Sequence, residues 1–239
     1  MNVEIYSDIA CPWCYIGERR FRRALAAFPG GDRVEVVYRS FQLDPNAPET
    51  PVPIRDYLRQ RYGASTDGML DRVLENARGE GIELNWDRVL SVNTFTAHRL
   101  LQLAVREYGP AVQRALAEKL FEAYFTRGED VSDPELLASL AEEVGIDRER
   151  ATAYLASDEG REETQAEIDR ARALGITGVP TFVFEGRWAV SGAQPASAFL
   201  QVLEQIAAET GREGGGAGTG DTDSPADPDA ACADGRCDV

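Results

Sequence analysis

Apolar and polar residues alternate at two places near the start of the chain. Val3 and Ile5 alternate with polar neighbours over residues 2 to 7, and Val34, Val36 and Tyr38 do so over 33 to 41, which predicts two strands. Between them Ile16, Phe21, Leu25 and Phe28 recur among Glu18, Arg19, Arg22 and Arg23, the pattern of an amphipathic helix that Pro29-Gly30-Gly31 ends. Pro45, Pro48, Pro51 and Pro53 then preset an extended connection. From residue 54 to 157 stripes such as Met69/Val73/Leu74/Ala77, Leu100/Leu101/Ala104/Tyr108 and Leu116/Leu120/Phe121/Tyr124 predict successive helices. Ser132-x-x-Glu135 reads as a capping box opening one of them, with Gly145 at its end. A further helix near 160 to 174 precedes a hairpin of Thr181-Phe182-Val183-Phe184, the turn Glu185-Gly186, and Trp188-Ala189-Val190. A last helix carries Phe199, Leu200, Leu203 and Ile206.

Composition narrows the function. The 239 residues, 43% of them hydrophobic, supply a core for one large domain or two small ones. Against 25 basic residues stand 41 acidic ones, a net charge of −16 that repels phosphate backbones and anionic lipid, so neither nucleic acid nor membrane is an expected partner. No apolar run reaches the roughly 18 residues of a membrane span, and the chain opens directly on its first strand, so a cytoplasmic location is expected. Residues 211 to 239, rich in glycine and acidic side chains, read as a flexible acidic tail.

Four cysteines are too few for a disulfide scaffold, so cysteine chemistry is the better account of them. Cys11-Pro12-Trp13-Cys14 falls where the first strand ends and the first helix begins, with Pro12 suited to the first helical position. Unpaired N–H groups and the positive end of the dipole favour an anion there, making Cys11 the expected nucleophile. Cys14, one turn on and expected to point further inward, is the resolving thiol. The competing reading is a chance C-x-x-C or half a zinc site. Zinc needs two more close ligands, whereas the sole histidine is His98 and the other cysteines lie in the tail, so no metal is expected.

Strand, Cys11-Pro12-Trp13-Cys14 and helix near the start, with Gly178-Val179-Pro180-Thr181-Phe182 opening a strand near the end, together resemble the DsbA family of the thioredoxin superfamily. Ser7-Asp8, Tyr38-Arg39-Ser40-Phe41-Gln42-Leu43, Asn93-Thr94-x-x-Ala97-His98-Arg99-Leu100 and Ala123-Tyr124-Phe125 extend the likeness to its cytoplasmic FrnE-like group over residues 3 to 208. The resemblance implies an α/β, thioredoxin-like fold with an inserted all-helical domain. Residues 1–53 and 158–210 would form the thioredoxin-like domain, 54–157 the insert and 211–239 the tail. It also implies that Pro180 is cis and faces the cysteines, with Val179 bordering a groove for an extended substrate; an ordinary trans proline at a strand start is the alternative.

Other residues divide between roles. Asp8 is read as a turn or capping carboxylate in preference to a proton acceptor, His98 as structural, and Arg39 as half of an ion pair, while Trp13 can either meet substrate or pack on the helices. Cys232 and Cys237 form a candidate second redox pair, since Asp234-Gly235 can turn the chain between them and a segment from Glu209 reaches roughly 25 Å; incidental pairing of two terminal thiols, or weak metal binding by them, is the alternative. The expected function is thiol-disulfide exchange with protein thiols and disulfides. No cofactor is needed beyond the redox-active disulfide, and glutathione or a thioredoxin system is the candidate electron partner. Two alternatives remain: a glutathione-dependent isomerase or transferase, whose relatives usually lack the second cysteine, and a redox sensor or chaperone that does not turn over.

Overall fold

A computed structural model of the chain describes residues 1–48 and 50–214, with side chains through residue 210. Strand β1 (Asn2–Ser7) leads into helix α1 (Pro12–Ala27) and back to strand β2 (Glu35–Ser40). β1 pairs in parallel with β2, Ile5 opposite Tyr38. On its other side β1 pairs antiparallel with β5 (Thr181–Phe184), which pairs with β6 (Trp188–Ser191) to give the order β2-β1-β5-β6. Glu185 and Gly186 both take positive φ at the β5–β6 turn, the backbone that a tight hairpin requires.

β1 is central, and one face of the sheet is covered by α1 and the last helix, α9 (Ala196–Gly214). Phe21 of α1 meets Phe182, Phe184 and Phe199 at centroid distances of 5.1, 6.1 and 5.3 Å. On the opposite face Tyr6 and Phe41 pack with Ala171 of α8 (Arg161–Ala173). α9 continues past residue 210, where the charged and glycine-rich composition set the tail boundary.

Between β2 and α8 lie α2 (Ile54–Tyr62), α3 (Thr66–Gly79), α4 (Phe95–Leu103), α5 (Pro110–Phe121), α6 (Pro134–Glu143) and α7 (Arg148–Leu155), with π-helical turns after α4 and α5. The expected run of helices is interrupted by a two-stranded ladder, β3 (Val52–Pro53) with β4 (Leu90–Ser91). Two-residue strands, one of them ending in a proline, leave no periodicity to read. The N-cap of α6 is Asp133, whose carboxylate accepts from Glu135 N, and not Ser132, whose hydroxyl donates to Asp130. Gly145 follows α6 at φ 89°, as expected of a helix end.

The helical segment and the sheet share one core. Tyr15 of α1 stacks on Phe121 of α5 with centroids 5.2 Å apart and planes 8° apart. Gln113 of α5, fully buried, seals the free edge of β2: its Oε1 accepts from Tyr38 N and its Nε2 donates to Tyr38 O, each at 2.9 Å. Among the described residues no helix is long and apolar enough to cross a membrane.

Candidate redox site

Cys11 is the N-cap of α1, in extended conformation, and Pro12 takes the first helical position, where its missing N–H costs nothing. The Cys11 carbonyl accepts from Cys14 N and Tyr15 N, so the motif itself winds the first turn. The Cys11 thiol donates to the carbonyl of Val179, Sγ to O 3.6 Å, and the Val179–Pro180 peptide bond is cis. The sequence-distant loop before β5 thus lies directly against the first cysteine.

Close approach of that loop depends on Gly17, one turn past Cys14. A Cβ there would stand 3.0 Å from Pro180 Cγ and 3.5 Å from Ala193. Arg20, a turn further along α1, donates to Ala193 O at 2.6 Å and to Glu80 Oε1 at 2.8 Å, joining the loop after β6 to the end of α3. Neither residue was singled out from the sequence; a glycine inside an amphipathic helix is the one local signal that could have marked Gly17.

Cys11 and Cys14 are 3% and 2% exposed, so depth does not separate them as expected; their partners do. Both are free thiols. Burial first, then the neighbouring Cys11 sulfur, push the Cys14 thiol well up from its ordinary range, while Ser7 and the Asp8 backbone oppose the rise. Ser7 Oγ is buried without an ordinary hydrogen-bond partner. Behind the pair, Glu18 of α1 is 4% exposed, with Oε2 unpartnered and Arg22 Nε 3.9 Å from Oε1. Burial raises its carboxyl, and burial followed by the Glu18 charge holds the Tyr38 phenol protonated.

Asp8, in the turn between β1 and α1, is a buried carboxylate. Its Oδ1 accepts from Thr94 Oγ1 at 2.8 Å, Ala10 N at 3.3 Å and His98 Nε2 at 3.3 Å, its Oδ2 from Leu43 N at 2.8 Å, and its main-chain oxygen from Cys11 N at 3.1 Å. Burial works to raise its carboxyl, but His98, Leu43 N–H and Thr94 together hold it below the usual range. Arg39 pairs with Glu4 and Glu167 at 2.6 and 3.1 Å, a structural role across β1, β2 and α8. Trp13 is half-buried against the main core. Arg99 donates to Tyr154 O and Ser157 O at 3.0 and 2.6 Å, holding the end of α7. Cys232 and Cys237 lie outside the described residues.

Residues 2–204 match the family described as a DSBA-like thioredoxin domain. The chain is 38% identical to a probable DsbA oxidoreductase from Streptomyces coelicolor of known structure, with a TM-score of 0.79, covering 98% of this chain and 100% of that one. It is 26% identical to the uncharacterized protein YwbO of Bacillus subtilis, over 85% of this chain and 96% of that protein. The cytosolic disulfide reductase DsbM of Pseudomonas aeruginosa, solved with GSH, shares the fold at a TM-score of 0.62 and 19% identity, over 86% of this chain and 98% of its own. A parallel β-α-β unit that starts α1 on Cys11, a loop with a cis proline against that cysteine, and a family match along nearly the whole described chain agree: this protein belongs to the DsbA-like family of thiol-disulfide oxidoreductases.

Proposed function

We propose that Cys11 and Cys14 are the redox centre of a cytoplasmic enzyme that exchanges disulfides with protein thiols. The observation that carries this reading is the contact of the Cys11 thiol, at the start of α1, with the Val179 carbonyl ahead of a cis proline. In the oxidised enzyme a substrate thiolate attacks Cys11 Sγ; the Cys11–Cys14 bond breaks, and Cys14 leaves as a thiolate that takes up a proton. A second substrate thiolate attacks the substrate sulfur of the mixed disulfide, forming the product disulfide and expelling the Cys11 thiolate. The high proton affinity that burial gives Cys14 suits it to hold the thiol form while Cys11 carries the substrate. Val179 and Pro180 border the groove for the substrate chain, with Pro12 and Trp13 beside the nucleophile in the first turn of α1.

Glutathione or a thioredoxin system supplies or removes the electrons. A resolving cysteine beside Cys11 favours dithiol exchange over a glutathione-dependent isomerase or transferase, whose chemistry needs only one activating group. Cys232 and Cys237 are a candidate second pair that exchanges disulfides with the first.

The test is turnover in glutathione-coupled disulfide reduction and in dithiol oxidation by wild type, Cys11→Ser and Cys232→Ser/Cys237→Ser. Cys11→Ser is expected to lower both rates by at least ~100-fold, since exchange requires a thiolate at that position; full turnover in that variant would overturn the assignment. The double variant reads the contribution of the tail pair.

A further inference from the structure

Asp8 joins the two halves of the molecule at the redox centre. It lies three residues before Cys11, and its carboxylate gathers donors from the turn itself (Ala10 N), from the segment after β2 (Leu43 N) and from the start of α4 (Thr94 Oγ1 and His98 Nε2). Since the carboxylate only accepts, His98 Nε2 must carry the hydrogen of its bond. His98 is 1% exposed, its Nδ1 has no partner, and among the described residues Asp8 is the polar side chain that the ring engages. A buried imidazole that commits one nitrogen to a carboxylate and leaves the other unsatisfied carries an energetic cost that packing alone does not require.

Leucine would fill such a site without that cost, so the ring is explained by what it does to Asp8. A buried negative charge beside the cysteines opposes formation of a thiolate in the same low-dielectric region unless donors hold it. Its main-chain oxygen also fixes Cys11 N, so movement of the carboxylate is transmitted to the loop that presents the nucleophile.

We propose that His98 is a positioning residue of the redox centre, which by donating to Asp8 holds the turn before Cys11 and offsets the buried charge beside the cysteine pair. This rests on the redox assignment above. Tyr124, after α5, feels the same carboxylate, its phenol held protonated by burial and by the Asp8 charge; Asp44, Tyr57, Arg61 and Tyr62 line the cavity that Asp8 borders, and Cys11 and Cys14 follow it in the chain.

The experiment equilibrates the full-length chain with glutathione, in the reaction enzyme dithiol plus GSSG giving enzyme disulfide plus two GSH, and reads the Cys11–Cys14 disulfide fraction by peptide-resolved mass spectrometry. The rate of Cys11 alkylation by iodoacetamide is measured on the same proteins. His98→Leu is expected to shift the equilibrium about tenfold toward the disulfide, roughly 30 mV for this two-electron couple, and to slow alkylation about fivefold. His98→Gln, which restores a donor at the reach of Nε2, is expected to return both to within about twofold. If His98→Leu does not fold, His98→Asn, whose amide stops short of Asp8, takes its place against His98→Gln. Unchanged equilibrium and alkylation, or equal impairment of the Gln variant, would make His98 a packing residue and overturn the proposal. Failure of wild type to equilibrate with glutathione would instead overturn the redox assignment.

Discussion

Two buried acids flank the cysteines and titrate in opposite directions. Glu18 has its carboxyl raised by burial, so its folded form keeps a proton that the unfolded chain releases near 4.5. The stability it contributes is complete below that value and is lost as pH rises through the folded value. Glu18→Gln is therefore expected to change little at pH 4 and to raise stability at pH 8, read from thermal midpoints at the two pH values. A difference independent of pH would contradict it. Asp8, with its carboxyl lowered, contributes stability above 3.8 that is lost as pH falls through the folded value. Its position three residues from Cys11 was visible in the sequence, but its partners were not. Leu43, Thr94 and His98 come from segments up to 90 positions away, and no local pattern records such meetings.

The elements show how tertiary partners complete local structure. β2 is an edge strand, and Gln113 supplies the two hydrogen bonds that a neighbouring strand would give Tyr38. Gln113→Leu keeps the volume but leaves a buried N–H and C=O unpaired; it is expected to destabilise by about 2–4 kcal/mol, measured by urea unfolding, and a loss below about 1 kcal/mol would show that the strand edge finds other partners. α1 was legible from end to end because its amphipathic period, its proline at the first position and its Pro-Gly stop are all local. The cap of α6 was misplaced by one residue because Ser132 and Asp133 are both good caps, and only the loop decides which side chain faces the helix. The β3–β4 ladder exists because α2 and the segment before α4 are brought side by side, a long-range condition.

For the molecule as a whole, one continuous core runs from Val3 through Phe121 to Ile206 and includes both cysteines. The helical segment and the thioredoxin-like unit are thus joined by apolar packing and by the Tyr15–Phe121 stack. A single cooperative thermal transition is expected, with far-ultraviolet circular dichroism and tryptophan fluorescence reporting the same midpoint; two separated midpoints would show that the parts unfold independently. The order strand, Cys11-Pro12-Trp13-Cys14, helix, strand and the late hairpin follow from residue pattern alone, because strand alternation, helical period and turn chemistry act over a few neighbours. The paired residues Ala97-His98-Arg99-Leu100 could be recognised in the sequence but not explained by it. Folding sends His98 to Asp8 and Arg99 to the carbonyls at the end of α7, since adjacent residues on a helix point about 100° apart and reach different neighbours. Likewise the contact of Cys11 with Val179, 168 positions away, and the fit of Pro180 over Gly17 were settled only when the sheet brought β5 beside β1. Long-range packing determines the surroundings of a reactive group, whereas the chain's own periodicity determines which element carries it.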